Sequence, residues 1–471
     1  DAGPEGLKLI AADESPNGKP MLAVANEDSN TTTLYDIQPT SYTLQILHTS
    51  DLEGGQDAIE DAPNFAAIVD KLEDDFDNTI VLSAGDNYLP GAFFDAADNQ
   101  LLNPTLQKVY EELYNLPEGS LSGLESSSGR IDNAIMNIIG FDASALGNHE
   151  FDKGTEKIAD IIDADIEGDN FSDVKWLGAQ FPYLSANLDF SEDANLNPLF
   201  TSEIKTTDEF FPLDTPGTLT ADDLSDLNDA PKIAPATIIE EGGEKIGVVG
   251  ATTQLLDSIS SPGNTKVKGV GEDDMQALAD ILNPVINQLQ TDSDINKIVL
   301  VSHLQDINLE KQLVPLLNGV DVVIAGGSDT RLADSNDRLR EGDEAQGEYP
   351  VITANKDGNS AVIVSTDGQY SYVGRLVVDF DAEGNVITGS IDPNVSGAYA
   401  TDSDGVTAVW GEEDPFAEGT KGELVKQLTD EVQEVALNVA DGNVLGFTDV
   451  FLQGERDPGV RTEETNLGNL T

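Results

Sequence analysis

The sequence contains no cysteine, which excludes disulfide staples, thiolate-held zinc and a thiol nucleophile. Cations are scarce as well: 24 lysines and arginines stand against 88 aspartates and glutamates, a net charge of -64. That balance argues against holding a nucleic acid polymer or an anionic membrane by charge, since phosphate surfaces are gripped by clustered basic groups. No apolar run approaches the roughly 20 residues of a membrane-spanning helix, so direct membrane insertion is not expected. Asp1 does not open the basic-then-apolar pattern of a signal sequence, and a mature, trimmed or partial chain is expected. Histidine is the last scarcity, with three in 471 residues.

Apolar content is ample at 39%, in a chain long enough for one large or two domains. The acids are interspersed with Val, Ile, Leu and Phe instead of forming a tail, and so read as the solvated surface of a globular fold. Such a surface suits a saline setting, because salt screens the self-repulsion of like charges. Unfolding midpoints should therefore rise between low and moderate salt; a fall would refute screening as the main effect of added salt.

Two short strand patterns at 21–25 and 32–37, joined by a polar turn at 26–30, predict a β-hairpin arm over residues 1–42. The arm resembles the closing strands of a β-propeller blade, which implies further sequence upstream. From Leu44 the pattern alternates strand, helix and strand, the mark of a layered α/β (α+β) domain. Pro63 is expected to open a helix carrying Ile68, Val69, Leu72 and Phe76, before a strand at 79–83. A short helix at 131–139 and a strand at 143–146 follow. Residues 155–235 are acidic and loop-rich. A strand at 245–249, an apolar helical stripe from Leu278 to Leu289 interrupted by Pro284, and strands at 297–302 and 320–325 come next. Runs at 361–365, 372–380 and 386–391 predict a meander, and Leu424, Leu428, Val432 and Val435 a late helix.

Five of these strands run into a potential ligand. The first, in LQILHTSDLEGG, delivers Asp51 and Glu53; the second ends on Asp86; the third leads to Asn148, His149 and Asp152; the fourth ends on His303 and the fifth on Asp329. Parallel strands of one sheet would bring these ends to a single edge. All three histidines, His48, His149 and His303, lie in these stretches. Hard oxygen donors with imidazole point to one or two divalent cations.

The order Asp-x-Glu, Gly-Asp, Gly-Asn-His-Glu-Phe-Asp, His, then Gly-Gly-Ser-Asp resembles the calcineurin-like metallophosphoesterases, in particular their 5'-nucleotidase and UDP-sugar hydrolase branch, over roughly residues 43–470. The resemblance implies a four-layer αββα sandwich over 43–415. Over 416–471 it implies a linker helix and the beginning of a truncated C-terminal domain, which Arg461 to Leu470 resembles. It makes Asp51 a ligand of a first metal and Asp86 the carboxylate shared by two. Asn148 and His303 would hold the second metal, and His149, oriented by Asp152, would face phosphate and leaving group. The implied cofactors are two divalent ions among Mn, Mg, Ca and Zn, with metal-bound hydroxide attacking phosphorus. Small phosphate esters, nucleotides foremost, would be the substrates. The implied location is extracellular, at the cell surface or periplasmic, with self-assembly or surface attachment left to regions beyond the chain.

The sequence departs from that pattern in three places. Glu53 stands where the family has His, and Gly326-Gly327-Ser328-Asp329 replaces Gly-His-x-His or Gly-His-x-Gln. The loop from Asp86 to Gly91 has four intervening residues against the usual three. Glu53 and Asp329 are the expected compensating ligands, giving an oxygen-rich site that favours Mg, Mn or Ca over Zn. A non-catalytic surface or assembly protein with a degenerate metal site is the alternative reading. His48 reads as structural, Arg331, Arg338 and Arg340 as surface ion pairs, and 402–405 as a turn and not a calcium loop.

Overall fold

Two β-sheets lie face to face, because both present continuous apolar surfaces that only the other can cover. The computed structural model describes residues 4–439 apart from 11–14, 16–20, 27–30, 37–40, 54, 89–91, 271–274 and 292–294. The first sheet is ordered Ile233–Ala234, Tyr183–Leu184, Ala143–Ala145, Thr79–Ser83, Tyr42–Thr49, Tyr372–Phe380 and Val386–Ile387, with Gly397–Ala400 also paired to Tyr372–Phe380. The second is ordered Lys205–Thr206, Ala236–Glu241, Glu244–Thr252, Ile295–His303, Val322–Gly326, Ser360–Val364 and Val351–Ala354. Leu44, Ile46, Ile80 and Leu82 from the first sheet pack with Val248, Leu300 and Ile324 from the second in one buried core.

Helices close both outer faces, so the four-layer αββα sandwich is the observed architecture. Leu47 and Val81, on the other side of the first sheet, pack with Phe65, Ile135, Leu428 and Val432 from helices Gln56–Glu73, Arg130–Ile139 and Lys421–Val439. Leu278, Leu282 and Ile286 of helix Met275–Thr291 and Leu313 of helix Ile307–Leu313 cover the second sheet. Ahead of the sandwich, strands Met21–Asn26 and Thr31–Asp36 pair antiparallel, and a third strand, Pro4–Ile10, adds to Met21–Asn26. Residues 27–30 of the expected turn, Gly91 and the stretch Arg461 to Leu470 lie outside the described residues.

Four expectations change. Pro63 does not open its helix but lies inside Gln56–Glu73, where the buried face of Ala58, Ala62, Phe65, Ala66, Val69 and Leu72 offsets the one lost backbone bond. Pro284 likewise lies within an unbroken helix. The expected meander is split between the sheets. Ser360–Val364 runs parallel to Val322–Gly326, whereas Tyr372–Phe380 runs antiparallel to Tyr42–Thr49. Both strands are buried on both faces, so neither carries an alternation that would mark its neighbours. The five ligand-bearing strand ends also come from two sheets, three from the first and two from the second, and meet where the sheets abut.

Candidate metal centre

The strands Tyr42–Thr49, Thr79–Ser83 and Ala143–Ala145 are mutually parallel, as are Ile295–His303 and Val322–Gly326, so all five point their carboxyl ends at this edge. Hydrogen bonds then stitch the edge across the sheets. His303 Nδ1 is 2.8 Å from Ala84 O, Gly327 N donates to Asp51 Oδ2 at 2.9 Å, and Thr252 Oγ1 donates to Leu146 O at 2.7 Å. The turns that follow are sharp. Eight non-glycine residues among those described have positive φ, and five of them, Asp51, Glu53, Asp86, Gln305 and Asp329, are in these loops. Backbone held in the left-handed region by non-glycine residues costs energy and concentrates where a side chain must be aimed.

Asp86 is the centre of the arrangement. One oxygen, Oδ1, accepts the His149 backbone N–H at 2.7 Å, and the other, Oδ2, lies 2.9 Å from His303 Nε2 and 4.0 Å from His149 Nε2. Two sets of donor atoms have their members within 4.8 Å of one another, Asp51 with Asp86 and His303, and Glu53 with Asp86 and His149. Asp86 belongs to both. Glu53 Oε1 is 3.9 Å from His149 Nε2, and His149 Nδ1 is 2.6 Å from Asp152 Oδ2. Asn148 is buried beside them with its Oδ1 accepting from Gln305 Nε2. Asp329 adjoins Asp51: a methyl on Gly368 would stand 3.0 Å from Asp329 Oδ1 and 2.7 Å from Asp51 O. All eight residues singled out in the sequence therefore come together.

The donor set fits a cation. His303 is fully buried with its Nδ1 against Ala84 O, so a neutral ring would donate there and turn the Nε2 lone pair toward a cation. Without a cation, Asp86 beside Nε2 favours the protonated ring. Nε2 makes no well-formed hydrogen bond despite its closeness to Asp86, so both point at common space. Burial pushes the Asp51 carboxyl up to about 6, against the pull of His303, and pushes Glu53 up to about 7 with Asp51 adding to it. His303 and His149 are raised as well, which for an imidazole favours the charged form. Burial opposes their charge, but Asp86 lifts His303 to about 10, and Asp152 with Asp86 lifts His149 to about 9. The buried carboxylates of Asp51 and Asp86, with half-buried Glu53 and exposed Asp329 adjoining them, are what a divalent cation neutralises.

Two glycines shape the site. A side chain on Gly147 would begin 2.1 Å from Asp86 Oδ1, so only glycine lets the second and third loops touch. Gly327, with φ 80°, offers its N–H to Asp51, and a side chain there would begin 2.8 Å from His303 Nε2 and 2.6 Å from Gln305 Nε2. The space that a ligand at 327 would use is filled by Gln305.

Gln305 and Glu150 are the residues that sequence reasoning missed. Glu150 is buried, and its carboxylate accepts from Asp86 N at 3.1 Å, Asn87 N at 2.7 Å, Gly147 N at 2.8 Å and Asn87 Nδ2 at 3.1 Å, tying two metal loops together. Its one signal was position, an acid between His149 and the core residue Phe151. The arginines are engaged as ion pairs, Arg331 with Asp367, Arg338 with Asp402 and Arg340 with Asp61. Asp402 caps helix Ser403–Trp410 through Gly405 N, so 402–405 is a helix start. His48 is buried against Tyr349, 2.8 Å from Nε2 to the hydroxyl, and burial lowers its pKa to about 3.

A four-layer sandwich whose sheets meet at a shared-carboxylate cluster defines a metallophosphoesterase-type fold and site. No protein-family model matches the chain. The 5'-nucleotidase of Mus musculus is 31% identical over 259 residues, 55% of this chain and 35% of that protein. The 5'-nucleotidase of Bos taurus is 30% identical over 336 residues, 71% of this chain and 45% of that protein. The crystal structure of a 5'-nucleotidase precursor from Thermus thermophilus shares the fold with a TM-score of 0.58 at 23% identity, covering 91% of this chain and 65% of that one. The chain is a relative of the 5'-nucleotidases, enzymes of the metallophosphoesterase class, and the resemblance carried by its motifs is borne out. It spans less than half the length of these two curated relatives.

Proposed function

We propose that this chain carries the catalytic centre of a metal-dependent phosphate monoesterase acting on nucleotides outside the cytoplasm. The observation that carries the reading is Asp86, which belongs to both donor sets and accepts the backbone N–H of His149, itself a member of the second set. The motif resemblance would give Asp51, Glu53, Asp86 and Asp329 to one divalent ion and Asp86, Asn148 and His303 to a second, while the donor atoms themselves group Asp51 with Asp86 and His303, and Glu53 with Asp86 and His149. Bound cations would neutralise the phosphate and activate the attacking water. Asp86 would keep the two positive charges adjacent, and Asp152 would hold His149 with Nε2 toward the ester oxygen, ready to give it a proton. With Arg331, Arg338 and Arg340 paired elsewhere, the cations themselves supply the positive charge that receives phosphate.

Oxygen donors dominate, so Mn, Mg or Ca should support activity better than Zn. The test is release of phosphate from AMP and from p-nitrophenyl phosphate with each of the four metals, alongside measured metal content. About two ions per chain with turnover supports the proposal, and a chain inert with all four would establish the alternative, a surface or assembly protein with a degenerate site. That alternative draws on Gly327, which contributes only a backbone N–H.

The proposed organisation is a phosphoesterase domain over 43–415, an arm over 1–42, and, within 416–471, a linker helix packed on that domain followed by the start of a C-terminal module. Limited proteolysis of a longer form would check these boundaries. Helix Lys421–Val439 has Leu424, Val425, Leu428, Val432 and Val435 buried in the sandwich core, so cleavage is expected after it and not before.

A further inference from the structure

We propose that Ser260 is a positioning residue for His149, acting through Asp152, and that it serves the expulsion of poor leaving groups. The inference rests on the phosphate monoesterase reading above. Ser260 Oγ donates to Asp152 Oδ1 at 2.8 Å, while the other oxygen, Oδ2, faces His149 Nδ1 at 2.6 Å. Each oxygen of the carboxylate thus has a different partner, and the two partners come from different sheets. His149 follows the third strand of the first sheet; Ser260 lies beyond Glu244–Thr252 of the second, 108 residues from Asp152.

The chain around Ser260 is built to hold it there. It terminates the short helix Leu256–Ile259, where its N–H donates to Leu256 O at 3.0 Å, and it has extended backbone. Three residues on, Gly263 comes so near Asp193 and Thr155 that an added methyl would stand 3.3 Å from Asp193 Oδ2 and 3.4 Å from Thr155 Oγ1. Gly263 and Asn264 thus tie the far end of the loop to Asp193, while half-buried Ser260 sits between exposed neighbours. Among the described residues Ser260 is the hydrogen-bond partner of Oδ1, so its loss would free the carboxylate to rotate and the imidazole to follow. His149 Nε2 would then lose its aim at the space beside Glu53 Oε1 and Asp86 Oδ2, at 3.9 and 4.0 Å.

The chemistry sets which substrates would notice. When the bond from phosphorus to the ester oxygen breaks, its electron pair stays on that oxygen, and His149 Nε2–H supplies the proton. Attacking water gives its oxygen to phosphorus, and its released proton returns the imidazole to its starting state. A nucleoside alkoxide needs that proton, whereas p-nitrophenolate is stable without it, so proton donation matters for one ester and little for the other.

The test uses the whole metal-loaded chain and two variants, Ser260→Ala and Ser260→Thr. Loss of one positioning hydrogen bond should lower kcat for AMP about five- to ten-fold, with kcat for p-nitrophenyl phosphate, both KM values, metal content and unfolding midpoint little changed. Ser260→Thr, which keeps the hydroxyl, should recover most of the AMP rate. Equal losses on both esters, or an unaffected AMP rate, would overturn the proposal. A second arm is independent of turnover and decides even where the wild-type chain hydrolyses neither ester: the Nδ1–H proton resonance of His149, with 15N-histidine labelling and three histidines to assign. A change in that signal in Ser260→Ala, reversed in Ser260→Thr, supports the coupling; an unchanged signal overturns it.

Discussion

Replacing Asp86 with alanine is expected to lower kcat at least about 1000-fold and to empty both cation sites. The size follows from the chemistry the carboxylate supports. Cations stabilise a phosphoryl transition state by several kcal/mol, and each 1.36 kcal/mol is a factor of ten. Asp86 is common to both donor sets and touches His303, so its loss removes the only side chain shared between them. Metal analysis and kcat should fall together. Asp86→Asn is the informative companion, since it keeps an oxygen for the His149 N–H but removes the charge, and it should lose metal while retaining the fold. His149→Ala should behave differently, slowing turnover about 100-fold or more while both cations remain. Equal loss of metal in the Asp86 and His149 variants would contradict the separate roles.

The second large effect is structural. Glu150→Ala should destabilise the chain by roughly 3–5 kcal/mol, because it strands buried donors that now share one carboxylate. Those donors are the N–H groups of Asp86, Asn87 and Gly147 and the Asn87 side-chain amide. The urea midpoint should drop, and metal affinity should drop with it, because the same bonds fix the loops bearing Asp86 and Asn148. Glu150→Gln should lie between, keeping one acceptor but turning an amide NH2 toward the remaining donors. A Glu150→Ala chain with an unchanged midpoint would show that the two loops are held by backbone bonds alone.

Much of this site is legible in the sequence because its grammar is local. An apolar strand that stops at an acid or a histidine can be read residue by residue, and Asp51, Asp86, Asn148, His149 and His303 all arrive that way. The two-sheet origin of the site is not legible. Strands such as Ser360–Val364 and Tyr372–Phe380 are buried on both faces, and a continuous apolar run names no neighbour. Glu150 was hidden for the opposite reason, since an acid in a very acidic chain reads as surface until its partners are seen. Gln305 needed both the turn that gives it φ 74° and the bare Gly327 opposite, features of backbone geometry that no pattern of side chains announces.

The stitching of the two sheets at this edge has a consequence for how the molecule comes into being. Asp51 and Asp86 come from one sheet and His303 from the other, and bonds such as Gly327 to Asp51 exist only after the sheets have closed on each other. The set of Asp51, Asp86 and His303 is therefore incomplete in either half alone, whereas Glu53, Asp86 and His149 all follow strands of the first sheet. An ion held by Asp51, Asp86 and His303 would therefore be captured late, as a seal on a finished sandwich. Refolding begun without metal should reach the native sheet content first and gain an ion beside His303 only afterwards, once the two sheets have docked.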